Sequence, residues 1–246
     1  MGKNKLARFA EMAEFENVFQ PDYDAIRENG FSLKNRWAEH YFRNQAPITL
    51  ELGCGKGEYT VGLAERYPDR NFIGIDIKGA RIYTGARDAL QKNLKNVAFV
   101  RTKIENAELL FGPGEIAEIW LTFPDPQMKK ERKRLTSSWF LERYRKFLSE
   151  NAVIRLKTDS GFQYSYTRAL AQQNNFRIIN DCADLYATPL PDDLPAITTF
   201  YEKQWRERGM SIKYLAFSPG KEGIILEPEG EFEKDNYRSY GRKAFS

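Results

Sequence analysis

The chain has 246 residues, 41% of them hydrophobic, which is enough for one good-sized α/β domain with a buried core. Lys and Arg outnumber Asp and Glu by only 38 to 34, so the net charge of +4 is mild and an anion-binding surface has to come from local clustering. Two cysteines without metal-site spacing, Cys54 and Cys182, and a single histidine, His40, argue against a metal site and against a Ser-His-Asp triad.

Residues 1–46 read as an N-terminal extension rich in charge and aromatics. Its start has no apolar h-region, and no later run reaches membrane-spanning length, so a cytoplasmic protein without a membrane partner is expected, as a monomer or homodimer. Residues 47–217 then alternate strand-like runs with helical patterns. The runs are "PITLELG", "NFIGIDI", "NVAFVRTKI", "IAEIWLTFPDP" and "AVIRLKTD", with "FRIIND" and "SIKYLAFS" further on. Between them lie "GEYTVGLAERY", "GARIYTGARDALQKNL", "TSSWFLERYRKFL" and "GFQYSYTRALAQQNN", each with apolar residues at helical spacing. This alternation predicts an α/β fold with a Rossmann-like, doubly wound, mostly parallel sheet. Residues 188–196, "TPLPDDLPA", read as a proline-rich loop, and residues 218–246 as a polar tail ending in mixed cations and aromatics.

After the first strand, "ELGCGKGEY" places glycines at 53, 55 and 57 before a helix. Glycine permits unusual dihedrals and close approach to a ligand. A dinucleotide fingerprint requires G-x-G-x-x-G, but the third position in that register is Glu58, so the pattern is E-x-G-x-G-x-G. The acid before the glycines suits an amine-bearing ligand better than a pyrophosphate. The second strand ends at Asp76, about twenty residues further on, where a carboxylate accepts hydrogen bonds from ribose hydroxyls. S-adenosylmethionine fits both acids: ribose at Asp76, methionine amine near Glu51, adenine near Asn106 at the end of the third strand.

The fourth strand delivers Asp125 at its carboxyl end, held between Pro124 and Pro126 and followed by five cations in the six positions from Lys129 to Arg134. Asp125 is expected to face the transferred methyl group, and the cations to hold phosphates. As a solvated surface, the run reads as the first turn of the helix carrying Leu135, Trp139, Phe140 and Tyr144. Asp159 in "LKTD" is a candidate N-cap for the next helix. Trp120 and Phe123 read as core.

Together "ELGCGKG", "GIDI", "ENA", "FPDP" with its basic run, "LKTD" and "TFYE", spread over residues 45–215, resemble the bacterial tRNA (guanine-N7-)-methyltransferases. The resemblance implies a class I methyltransferase fold, S-adenosylmethionine as cofactor, tRNA as partner, and methylation of N7 of a guanine in the variable loop. It implies cofactor-binding roles for Glu51, Gly53, Gly55, Asp76, Asn106 and Asp125, with Asp125 also catalytic. It implies substrate contacts from Lys129, Asp159, Thr199, Phe200, Tyr201 and Glu202. Two departures stand out: Asp76 occupies a position where glutamate is commoner, and Gln127 and Met128 follow "FPDP" where Trp or His is usual. The rival readings are a methyltransferase of the same fold acting on another RNA base or a small molecule, and a non-catalytic RNA-binding subunit.

Overall fold

The structure, a computed structural model, describes residues 2–187, 189, 194 and 196–236. Most of the proline-rich loop at 188–196 and the last ten residues of the tail lie outside the described residues. Among the described residues, eight strands join in one sheet: β1 (Val18–Phe19), β2 (Ile48–Leu52), β3 (Asn71–Asp76), β4 (Val97–Arg101), β5 (Ile116–Thr122), β6 (Leu148–Thr158), β7 (Arg177–Cys182) and β8 (Lys213–Ser218). Their spatial order is β1-β4-β3-β2-β5-β6-β8-β7. Every pairing from β1 to β6 is parallel, and β8 runs antiparallel to both its neighbours. The sheet is the mostly parallel one that the sequence predicts.

Central strands read as unbroken apolar runs because both of their faces are covered. All of Ile48–Leu52 and Asn71–Asp76 is buried. Alternate side chains divide between two core layers: Phe72, Phe99, Trp120 and Tyr214 enter one, Ile73, Val100, Leu121 and Leu215 the other. The first layer is covered by α3 (Glu58–Arg66) and α4 (Gly79–Gln91), with α1 (Gly2–Ala13) laid against α4. The second lies beneath α2 (Tyr23–Asn29), α5 (Ala107–Leu110), α6 (Ser138–Arg145) and α7 (Gly161–Gln173). A last helix, α8 (Phe200–Glu207), packs Trp205 onto the first layer.

The basic run does not open α6, which starts only at Ser138. Its cations precede the helix in a loop carrying a 3₁₀ turn at Glu131–Lys133, and extended backbone at Arg134 and Ser137 separates the two. The N-cap of α7 is Ser160, whose Oγ accepts from Gln163 N at 2.9 Å, and not Asp159. The β6 pairing runs through Thr158 and leaves Asp159 fully buried, so the cap falls one residue later.

Residues 1–46 supply core. Met12, Ile26, Trp37 and Phe42 are buried. Trp37 begins a π-helical turn, Trp37–Phe42, donates from Nε1 to Leu110 O at 3.1 Å, and meets the rings of Phe19, Tyr41 and Phe111. Beyond β8, residues 219–236 have no regular structure but are closely bonded to α6 and α7. Arg145 donates to the carbonyls of Pro219, Gly220 and Gly223, and Asn174 exchanges bonds with the Leu226 backbone. Truncating Trp37 to Ala is expected to cost about 3–5 kcal/mol in urea unfolding, the range for a fully buried aromatic. A change below about 1 kcal/mol would mean that the N-terminal segment is not part of the cooperative core.

Candidate active site

β2 leads through α3 to β3 on one side, while β5 flanks β2 on the other. The chain therefore reverses direction across the sheet between β2 and β5, and the crevice outside their carboxyl ends is where such folds bind ligands. The glycine turn lies there. Gly53 N and Cys54 N both donate to Ile75 O, at 2.8 and 3.0 Å, which moors the turn to β3. The three glycines differ in purpose. Gly53 and Gly55 have φ of +81° and +56°, and an added Cβ would meet nothing closer than 4.0 Å, so their backbone faces open space. Gly57 is a packing glycine: a Cβ there would come within 2.7 Å of Phe99, where the turn presses on Gly85 of α4.

Glu51 is buried beneath the turn. Its Oε2 accepts from Thr60 N at 2.9 Å and from Thr60 Oγ1, and its Oε1 accepts from Thr122 Oγ1. Burial pushes its pKa up to about 7, with the three hydrogen bonds pulling down and the Asp76 charge adding to the rise. Asp76 reaches across the end of β3. Its Oδ2 accepts from Gly55 N at 3.0 Å and its Oδ1 from Lys78 N at 2.7 Å. A carboxylate has about four acceptor positions, so two remain. Directly after it stands Ile77, an apolar side chain 52% exposed. Asn106 closes a 3₁₀ turn beyond β4 and donates to Thr102 Oγ1 at 3.1 Å.

Asp125 is exposed and accepts from Gln127 N at 3.1 Å. The prolines are not its only restraint. Phe123 and Gln127 hold φ of +49° and +47°, the left-handed region that non-glycine residues seldom enter, so strained backbone brackets the carboxylate. Phe123 is half-buried, whereas Trp120 lies in the core as expected. The five cations that follow are not equivalent. Arg134 is buried, with its guanidinium over the rings of Phe162 and Tyr166 at 4.8 and 4.5 Å, and it donates to the carbonyls of Gln127 and Met128. Lys133 is paired with Glu105 at 2.8 Å. Arg134 therefore holds the loop's shape and cannot reach a phosphate. Lys129, Lys130 and Arg132 are exposed.

The other expected substrate residues divide by burial. Thr199 caps α8, its Oγ1 accepting from Glu202 N at 3.2 Å. Phe200 and Tyr201 are more than half exposed, and Lys56 of the glycine turn lies over the Phe200 ring at 5.2 Å, so α8 begins beside the crevice. Glu202 is fully buried, paired with Lys157 at 2.8 Å and accepting from Tyr186 Oη at 2.6 Å. Burial pushes Lys157 down, and Glu202 pulls it only part of the way back. Sequence reasoning passed over Thr60, Thr122, Lys157 and Tyr186. For Thr60 a weak signal exists, a polar β-branched residue in the first turn of an otherwise apolar helix face.

A family model described as a putative methyltransferase matches residues 45–215. Among solved structures, the 16S rRNA methyltransferase KamB superposes with a TM-score of 0.56 at 12% identity, over 76% of this chain and 92% of that one. That likeness concerns the fold alone, and it is the family match that makes a chain of this fold an α/β methyltransferase of class I type. The tRNA (guanine-N(7)-)-methyltransferase of Bacteroides fragilis (strain YCH46) is 53% identical, covering 98% of this chain and 96% of its own length. The enzyme of the same name from Bacteroides thetaiotaomicron is 52% identical with the same coverage. The chain belongs to the bacterial tRNA (guanine-N(7)-)-methyltransferase family.

The raised pKa of Glu51 has a measurable sign. Between pH 4.5 and about 7 the folded protein keeps a proton that the unfolded chain has released, so stability without ligand falls as pH rises through that window. Relative to Glu51→Gln, the parent is expected to lose up to about 3 kcal/mol across it in urea unfolding. Parallel pH profiles for the two proteins would show that the carboxyl is not desolvated.

Proposed function

We propose that this protein transfers a methyl group from S-adenosylmethionine to N7 of a guanine in the variable loop of tRNA, forming 7-methylguanosine. The observation that carries the reading is the near full-length identity to the two Bacteroides enzymes.

The residues of the crevice fit the cofactor. Glu51 is a desolvated carboxylate whose hydrogen bonds only partly offset its burial, so a neighbouring ammonium would stabilise it. Asp76 has two acceptor positions left for ribose hydroxyls, Asn106 stands in the 3₁₀ turn beyond β4 for the adenine, and Gly53 and Gly55 leave backbone open to a ligand. When bound, the cofactor supplies an electrophilic methyl carbon on a cationic sulfur. Among the described residues no group of three or more His, Cys, Asp or Glu side chains is placed to hold a metal ion.

Guanine N7 carries a free lone pair, so no residue has to remove a proton from it. What the protein must supply is position and charge. Asp125 would orient the base through its N–H groups and stabilise the positive charge that the ring acquires, a task for preorganised electrostatics. The strained residues on either side restrict where its carboxylate can move. Of the substrate-side set, Lys129, Phe200 and Tyr201 present exposed groups, whereas Asp159, Thr199 and Glu202 are buried and would act by positioning.

Incubation with labelled cofactor and unmodified tRNA, followed by borohydride and aniline cleavage, tests the reading, since cleavage occurs at 7-methylguanosine. Label incorporated without cleavage would indicate another base, and no incorporation a non-catalytic subunit. In single-turnover transfer Asp125→Asn is expected to lose on the order of 10²-fold in rate while binding cofactor and tRNA within a few-fold of parent. A parental rate would remove Asp125 from the mechanism. Asp76→Ala should weaken cofactor binding by about 1.5–3 kcal/mol in calorimetry and leave tRNA affinity nearly unchanged. Undiminished cofactor affinity in the folded variant would count against the ribose assignment.

A further inference from the structure

The matched family region ends at residue 215, yet the tail beyond it reaches the candidate active site. Glu227 accepts from Ser138 N at 2.7 Å, at the start of α6, and also from Tyr166 Oη. Phe232 sets its ring edge-on to Phe162 and Tyr166. Asp235 then caps α7, its Oδ1 accepting from Phe162 N at 3.1 Å and its Oδ2 from Ser160 Oγ. Two tail acids thus cap the two helices that follow the basic loop and the "LKTD" strand. Residues 234–236 come to rest opposite the basic loop.

Between them lies a cleft of about 640 Å³, within the usual size range for a ligand pocket, lined by Asp125, Lys129, Lys130, Lys234 and Asp235 among others. Lys129, Lys130 and Lys234 are exposed, and among the described residues none of the three has an ion-pair partner within 4 Å. Among the described residues the nearby acids Asp125, Glu131 and Glu233 form no ion pair with them, and Asp235 is already engaged by α7. Three unpaired ammonium groups around one cleft repel one another, and an anion placed among them relieves that repulsion.

We propose that the tail is the second wall of the RNA site: Asp235 is a clasp that positions Lys234 across from Lys129 and Lys130, and the cleft takes a phosphate-bearing nucleotide adjoining the target guanosine. This inference rests on the activity proposed above and extends it to residues beyond the span of the family model. Asp235 is a positioning residue, acting through Lys234.

The experiment measures tRNA affinity against salt for parent, Lys234→Ala, Asp235→Ala and the double variant, alongside cofactor affinity and chymotrypsin cleavage after Phe232. Lys234→Ala is expected to flatten the log–log salt slope by roughly 0.7–0.9, one phosphate contact. Asp235→Ala should flatten it by the same amount, and the double variant by no more, because both substitutions remove one contact. Asp235→Ala should also expose Phe232 to cleavage several-fold faster while cofactor affinity stays at the parental value, which shows that the fold is intact. Parental salt slopes in both single variants, or unchanged cleavage at Phe232, overturn the proposal. Tighter tRNA binding by Asp235→Ala overturns it too, since the tail would then be obstructing the cleft. Those outcomes leave the methyltransferase assignment standing if the parent still makes 7-methylguanosine. A parent that transfers no methyl group to tRNA removes that assignment and this inference with it.

Discussion

The crevice is organised around a carboxylate with almost no access to water, Glu51, which is bonded at once to the first turn of α3 through Thr60 and to the last residue of β5 through Thr122. In water such bonds would exchange freely. Inside the sheet, losing the Thr122 bond or the Thr60 pair would leave a buried carboxylate oxygen unsatisfied, so the helix and the strand are held in register with each other. The two loops that leave these elements, the glycine turn and the Phe123–Pro126 corner, therefore start from fixed points. Asp76 repeats the device one strand over, tying the Gly55 amide to the end of β3. The geometry of the site follows from where these acids sit in the sheet, and the helices around it follow from the two-sided burial of the same strands.

A reaction at an unprotonated nitrogen explains the economy of the site. With no proton to remove, a chain with one histidine loses nothing by lacking a second, and on the role proposed for Asp125 the demand is that its carboxylate be held in place. The left-handed backbone at Phe123 and Gln127 is unfavourable by itself and persists because the surroundings dictate it. Phe123 N is bonded to Lys157 O at 2.8 Å, and the Gln127 carbonyl accepts from Arg134.

What could be read from the sequence was what local pattern determines. The strand runs, the glycine spacing, Asp76 at a strand end and the proline-flanked Asp125 all depend on residues close together in the chain. What could not be read was set by partners far along it. Arg134 looks like its four neighbouring cations, and only the rings of Phe162 and Tyr166 separate it from them. Nothing near Lys157 in the chain marks it as buried, because the partner that permits its burial, Glu202, arrives from α8. Trp37 sits in a charged stretch whose π-helical turn lacks the 3.6-residue period that marks a buried helix face. "DSG" offers two adjacent capping residues, and sheet pairing through Thr158 chose the second.

The division of labour within the basic loop has a consequence for how the protein would respond to its ionic surroundings. Arg134 works where counterions do not penetrate, over aromatic faces and against backbone carbonyls, while Lys129, Lys130 and Arg132 work in open solvent. Screening acts strongly on the second group and weakly on the first. If these cations hold tRNA as proposed, a rise in salt would loosen that hold without dissolving the loop. On that proposal, release and recapture of successive RNA molecules would proceed on a loop whose shape Arg134 keeps through the Gln127 and Met128 carbonyls.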